Sequence, residues 1–501
     1  MKNQELINYL ESCGVCRVCQ LRYLKARGHE YRDMQKTFQR LDVKVTEEDV
    51  PKDDTPGEQP AKKPRLSICS TCLGLFSKDF QTQLIAGILQ SDFAKYDSEG
   101  IVLAISLPMT LQLRQLSMWF ALQRKFGRAS VDDNCAPDVP IKEAVKLILH
   151  PIVCAQLGKE YDANGMMINI ELRHSTETDD VAKLVELNRA AFPAKAAHQK
   201  RIEISRGLLE KQYQPSRLKA DLFEKYLPIP PAAVNDPLQL QSIELAGPLV
   251  CVAGRYRKLS RELSHTPWVL NGQRIMEDSI EEIIVRNVGM HFSETPEKIT
   301  FMSSGREDVD VRCLGKGRPF VLEIPNSRCS SMTHQQAFDM EQAVDLTGKV
   351  SIHNLQVVPR EQLTHIKTGE EQKRKYYRAL CVLDEPVTLE ILQKLQISES
   401  FDIQQKTPIR VLHRRPLHTR PRTIFSVKTC VQRDNPRLLI IDLVSQAGTY
   451  IKELVHGEFG RTAPSISSII GKPIDILALD VVGIDLDWPA DVNNAENVDK
   501  C

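Results

Sequence analysis

Two Cys-x-x-Cys pairs, Cys16/Cys19 and Cys69/Cys72, constrain this chain more than any other feature of its sequence. Four thiols in two knuckles have the ligand count and inner spacing of a tetrahedral structural zinc site, so the chain must return to one point however far it travels between them. The 49 residues separating the knuckles exceed ordinary ribbon spacing. Residues 44–65, KVTEEDVPKDDTPGEQPAKKPR, account for the excess: four prolines, one glycine, many charges and no aromatic residue cannot bury enough surface to order themselves. They read as a solvated insertion, and KKPR within it is either a nuclear import signal or a solvating basic run. Cys13/Cys16 is an overlapping pair; Cys16/Cys19 is preferred because Cys13 lies closer to a fraying terminus. The rest of the thirteen cysteines are scattered singly, and a disulfide framework belongs to short secreted chains. With four protein ligands and no open position, one zinc per chain would be structural and not catalytic.

At 501 residues the chain exceeds the roughly 250–300 that one core supports, so two to four domains are expected. Hydrophobic residues at 42%, charged residues at 26% and a mean hydropathy of −0.29 exclude wholesale disorder and fibrous folds. Apolar runs such as PLVCVA (248–253) are far too short to span a bilayer, and the first residues lack a secretory h-region. A soluble intracellular protein is expected. Lys and Arg total 66 against 65 Asp and Glu, which hides strongly basic local segments.

From 73 to 192 strand-like runs (IVLAISL, MMINIEL) alternate with helical spacing (SMWFALQRKF, IKEAVKLIL), an α+β pattern. Residues 195–219 carry Lys195, Lys200, Arg201, Arg206, Lys211, Arg217 and Lys219 against Glu203 and Glu210. Residues 227–240, LPIPPAAVNDPLQL, read as a proline-rich linker. A second domain from about 245 is rich in β-like runs: KITFMSSG, FVLEI, YYRALCVL, TIFSVKTC and RLLIIDLV. The boundaries expected are 1–240 and 245–501.

Two segments carry candidate chemistry in that second domain. In GREDVDVR (305–312) a glycine turn after a strand exposes Arg306 and Asp308, two residues apart and on one side if extended. A cationic neighbour keeps such a carboxylate ionised and aimed. In SQAGTYIKELVHGEFGR (445–461) an apolar strand ends in a glycine turn, and Lys452 follows within reach of a carboxylate. Neither a P-loop nor G-x-G-x-x-G is present, which argues against nucleotide-dependent and dinucleotide-dependent chemistry.

Together these segments resemble the pseudouridine synthases. GRED matches their G-R-x-D motif, KYYRA (375–379) their K-x-Y motif and QAGTYIKEL their G-T-Y-I-[RK] motif, in order and at fitting spacing. The resemblance continues through VAGRYRKLSRELSHTPWVLNGQR (252–274). With the cysteine pairs, the whole chain is similar to the tRNA pseudouridine synthase 10 family, the archaeal and eukaryotic type. One departure stands out: Asp310 occupies the second glycine position of G-R-x-D-x-G.

The resemblance implies an α+β protein. Its N-terminal half would be a zinc-bearing, THUMP-containing α/β accessory domain, and its C-terminal half a catalytic domain on a mixed, mainly antiparallel β-sheet. It implies an isomerase converting uridine of the tRNA TΨC arm (positions 54/55) to pseudouridine by base flipping, without organic cofactor, as a monomer in nucleus and cytoplasm. Asp308 would be the essential carboxylate, attacking sugar or base or removing a sugar proton. Lys452 would pair with it, and Arg306 would pair with it or hold the flipped-out nucleotide. Tyr377, preferred to Tyr376, would stack on the uracil and could accept the C5 proton, with Leu443 as an apolar floor or plain core. Residues 407–421, with Arg410, Arg414, Arg415 and Arg420 beside His413 and His418, would form a thumb loop clasping phosphates. Residues 255–274, with Arg255, Arg257, Lys258 and Arg261, would form an opposing forefinger loop. A zinc- and THUMP-bearing RNA-binding adaptor without catalysis is the rival expectation.

Overall fold

The computed structural model describes residues 3–44, 68–127, 139–189, 206–371, 373–413 and 415–491. Residues 45–67, which hold nearly all of the proline-rich insertion including KKPR, lie outside them, as do Lys195, Lys200, Arg201 and Arg414. The chain divides into two compact units, Met1–Gly247 and Pro248–Cys501.

In the first unit a four-stranded sheet runs β2-β1-β3-β4, with β1 Gly100–Ser106, β2 Glu160–Tyr161, β3 Met166–Arg173 and β4 Gln239–Ala246. β1 is parallel to β2 and β3, and β4 is antiparallel to β3. The period-two pattern of β3 buries Met166, Ile168, Ile170 and Leu172. Helices Lys78–Gln90, Met109–Phe126 and Ile141–Leu157 accompany the sheet, the first capped by Ser77 Oγ accepting from Phe80 N. The proline-rich segment is not linker to its end. Gln239 and Leu240 pair with Arg173 and Leu172, because an apolar alternation through Leu238, Leu240, Ile243 and Leu245 gives the sheet a further edge strand. Among the described residues no helix is long and apolar enough to cross a membrane.

The second unit is built on a ten-stranded sheet. Its strands are β5 Val250–Lys258, β8 Thr300–Ser303, β9 Arg312–Ile324, β10 Val350–Val358, β11 Lys375–Leu383, β12 Phe401–Lys406, β13 Thr419–Val431, β14 Leu438–Ser445, β15 Thr462–Ala463 and β16 Ile474–Ile484. A separate hairpin, β6 Val269–Leu270 and β7 Gln273–Arg274, turns through Asn271-Gly272, both at positive φ as a type I′ turn requires. The large sheet runs β10-β5-β9-β16-β11-β14-β13-β12-β15, with β8 added to β9. Its pairings are antiparallel except β16 with β9, which meet in parallel over Asp480↔Arg312 and Val481↔Cys313. The mixed, mainly antiparallel sheet expected from the sequence is therefore present. In β14 alternation buries Leu439, Ile441, Leu443 and Ser445, and its C-terminal end leads into the turn at 446–450 and helix Ile451–His456. β8 and β9 are joined by the loop that carries GRED.

Candidate active site

The loop 304–311 is held from below by a buried ion pair. Glu307 accepts from Arg318 Nε at 3.0 Å, both side chains being 1% exposed. Arg318 also donates to Ser304 O, and Tyr256 Oη donates to the Glu307 carboxylate. Burial alone would lower the Arg318 guanidinium, but Glu307 overrides it and holds it charged. Lys258 Nζ donates to the carbonyls of Asp308, Val309 and Val311 at 2.9, 2.6 and 2.9 Å, pinning the backbone on both sides of the aspartate. Gly305 adopts φ +89°, and a Cβ there would lie 3.0 Å from both Arg318 Nη1 and Lys375 Nζ, so the motif needs glycine for conformation and space alike.

On this base Asp308 stands half-buried. Arg410 Nη1 donates to its Oδ2 at 2.8 Å, and Lys452 Nζ lies 3.7 Å from the same oxygen. Among the described residues no hydrogen bond reaches Oδ1. The expected Lys452–Asp308 ion pair is present at that longer distance, but Lys452 is shared and Asp308 has a nearer cation. Lys452 bonds both carboxylate oxygens of Asp310 at 2.8 and 2.7 Å, and the closer cation on Asp308 is Arg410. The reason is the departure from the motif: a carboxylate at the second glycine position captures the lysine. Burial alone would raise Asp310, but Lys452 outweighs it and keeps its carboxyl below the usual range. Arg306 is exposed and makes no hydrogen bond or ion pair among the described residues.

Tyr377 sits on β11 opposite Leu443 of β14 and Val481 of β16, on the face that buries Lys375. Burial pushes its phenol up to about 12, so it is protonated at neutral pH. Tyr376 points to the opposite face and packs against Gly483. Leu443 is 1% exposed, a core residue paired across from Tyr377, in keeping with the plain-core alternative expected for it.

The forefinger assignment also needs correction. Arg255 and Lys258 are interior residues of β5, not loop cations. Arg255 donates to the carbonyls of Lys316, Gly317, Leu486 and Trp488, and burial lowers Lys258 to about 8. Arg257 is exposed but commits Nε to Gly315 O, and Arg261 pairs with Asp480. These cations close the sheet's backbone, a job that a row of basic residues does not announce in sequence.

The expected thumb loop connects β12 to β13, with Ile409–Val411 as a single 3₁₀ turn. Its base is fastened: Ile409 N donates to Glu458, Arg461 donates to Thr407 O, and Arg410 donates to Glu453 at 2.7 Å. His418 and Arg420 line a hollow with Gln405, Thr407, Arg422, Gly448 and Tyr450, none of them acidic, and Arg415 Nη1 donates to Tyr450 Oη at 3.5 Å. Arg422, which the sequence did not single out, has a buried Nε–H without a partner among the described residues. Burial first and Arg420 second lower its guanidinium.

In the first unit the ligating atoms of Cys16, Cys19, Cys69 and Cys72 lie within 4.8 Å of one another. Cys16 Sγ and Cys72 Sγ are 3.7 Å apart, close to the edge of about 3.8 Å for a tetrahedron with zinc–sulfur bonds of about 2.3 Å. Cys16 N donates to Cys69 Sγ, the supporting bond expected of a knuckle. Hydrogen bonds, first from Cys16, pull the Cys69 thiol well below its ordinary value. These residues fit a metal ion, and Cys13 is not among them.

Glu307, Arg318, Tyr256 and Glu453 were missed in sequence. Only Glu453 left a signal, a carboxylate amid the buried residues of IKELVH. His265 completes the interior network, with Nδ1 3.3 Å from Tyr256 Oη and Nε2 3.0 Å from Ser303 Oγ. Burial lowers its imidazole to about 4. The unfolded ring takes a proton near pH 6.5 and the folded one does not, so stability present at neutral pH is lost as pH falls from 6.5 to 4. The loss should be about 3 kcal/mol from this group. Denaturant unfolding of the second unit across that range should show it, and His265→Gln should lack that share of the slope; parallel curves would refute it.

The site is thus a carboxylate gripped on one oxygen by cations from two segments, on a loop of the sheet that also carries Tyr377. Comparison with known proteins fixes the class: the chain is an enzyme, an isomerase of the pseudouridine synthase kind. The family model described as "Pus10, C-terminal" matches residues 251–485, and "Eukaryotic Pus10, N-terminal" matches residues 69–245. The Drosophila melanogaster protein named "Putative tRNA pseudouridine synthase Pus10" is 71% identical over 500 residues, 99% of this chain and 100% of its own. The proteins named "tRNA pseudouridine synthase Pus10" from Xenopus laevis and Homo sapiens are 38% and 35% identical, over 85% and 86% of this chain and 82% and 81% of theirs. The chain belongs to the Pus10 family.

Proposed function

We propose that this protein is a tRNA pseudouridine synthase acting on uridine in the TΨC arm through a flipped-out base and Asp308. The reaction breaks the N1–C1′ glycosidic bond and rejoins the same ring through C5; the C5 proton departs and N1 gains one, with no redox change. The observation that carries the reading is the Asp308 carboxylate itself, held by Arg410 and Lys452 on Oδ2 with Oδ1 left for the nucleoside. Tyr377 keeps its proton and supplies a stacking face. Arg306, unengaged among the described residues, holds the displaced nucleotide. The four-cysteine site takes one structural zinc, and the first unit serves as a THUMP-type RNA-binding body of a monomer divided between nucleus and cytoplasm. Mapping pseudouridine on in vitro transcribed tRNA after incubation with the purified protein tests the function directly; no new pseudouridine in the TΨC arm defeats it.

Phosphate grip falls to Arg415, near the end of the 407–418 connection, and Arg420, at the start of β13. Arg415→Ala/Arg420→Ala should weaken tRNA binding and lower the slope of log affinity against log salt by about 0.7–0.9 per lost contact. The loss should be similar for tRNAs of different sequence, because phosphate contacts carry no base information. Unchanged affinity and slope would mark these residues as a solvated hairpin.

A further inference from the structure

Arg410 stands apart from Arg415, the other described arginine of its loop. Its guanidinium spans two carboxylates, Asp308 at 2.8 Å and Glu453 at 2.7 Å, and lies over the Tyr450 ring at 5.9 Å from its centroid. Glu453 is 2% exposed and its ion-pair partner is Arg410. Burial alone would lower the Arg410 guanidinium, but Glu453 and then Asp308 outweigh it and hold it up. A phosphate that drew Arg410 off its Nε bond would leave Glu453 buried and uncompensated, which is costly, and one that took Nη1 would have to displace Asp308. Lys452 does not duplicate the contact, since both its close bonds go to Asp310. A planar fork fixes a carboxylate's orientation in a way that an ammonium does not.

We infer that Arg410 is a positioning residue for Asp308, set in place by the buried Glu453, and not one of the RNA phosphate contacts. The inference rests on Asp308 being the reacting carboxylate. Glu453 follows Lys452 directly, so one short helix reaches the aspartate twice: once through its own lysine, and once through an arginine borrowed from the 407–418 connection. Closing that connection onto Glu453 and Glu458 completes the environment of Asp308. The segment expected only to hold RNA thus supplies part of the reaction centre, in line with catalysis by groups already oriented before substrate arrives.

Arg410→Ala alone strands Glu453 and should lower Tm, so the decisive protein is Arg410→Ala/Glu453→Gln, in which the buried charge is gone too. This double variant should recover most of the Tm lost by the single one. It should convert saturating tRNA more slowly by roughly a hundredfold in single turnover, with tRNA affinity and salt slope unchanged. Glu453→Gln alone should remain faster than the double variant, because Arg410 still reaches Asp308. Arg410→Lys should regain only part of the rate. A double variant turning over at the wild-type rate would reduce Arg410 to a counter-ion for Glu453. A slope flattened by about 0.7–0.9 would make it a phosphate contact. Either result overturns the inference. Product formation by the wild-type chain, run alongside, tests the functional reading separately, and the salt slope still discriminates if no product forms.

Discussion

Asp308→Asn should form no measurable pseudouridine, a loss of roughly four orders of magnitude or more, while binding tRNA about as tightly as the wild type. The amide keeps the shape of the side chain and can still meet Arg410. Lys258 continues to hold the loop through the carbonyls of residues 308, 309 and 311, and Glu453 continues to hold Arg410. Fold, loop and phosphate contacts therefore survive, and the one thing removed is an ionised oxygen. Pseudouridine mapping on transcribed tRNA beside a binding titration separates the two effects. Turnover within tenfold of wild type would remove Asp308 from the chemistry.

The second large effect belongs to the other unit. Cys69→Ser should abolish zinc content, from one ion per chain to none by elemental analysis, and lower the unfolding transition of the first unit by on the order of 10 °C or more. Cys19, Cys69 and Cys72 sit in the same apolar core as Leu6, Ile7, Leu10, Leu73 and Leu75, so an uncompensated thiolate there has nowhere to be solvated. Calorimetry should show the second unit's transition unmoved, because its core shares no residue with this cluster. Cys13→Ser should change neither quantity. Full metal content in the Cys69 variant would mean a different ligand set.

What could be read from the sequence was chemistry written in contiguous residues. G-R-E-D, K-x-Y, G-T-Y-I-K and the two knuckles each place their working groups within a few positions, and the alternation of RLLIIDLV fixes a strand face locally. What escaped was long-range pairing. Arg410 meets an aspartate 102 residues away, and Lys258 holds carbonyls 50 residues on. A positive side chain in isolation looks the same whether it will meet phosphate, carboxylate or backbone. Four cations of 255–261 were therefore assigned outward when Arg255 and Lys258 are sealed inside β5. The capture of Lys452 by Asp310 was half visible, since the aspartate was recognised as a departure, but its partner was not.

The parallel seam between β9 and β16 bears on how the protein is made. β16 is inserted between β9, which follows the Asp308 loop, and β11, which carries Tyr377. Yet it is translated last of the three, at Ile474–Ile484. On the ribosome, β5, β8 and β9 can pair as they emerge, and β11 can pair with β14, but the two half-sheets have no common member until residues near 480 leave the exit tunnel. A nascent chain released before that point has its aspartate and tyrosine on separate fragments of sheet, and the last-made strand is what joins them.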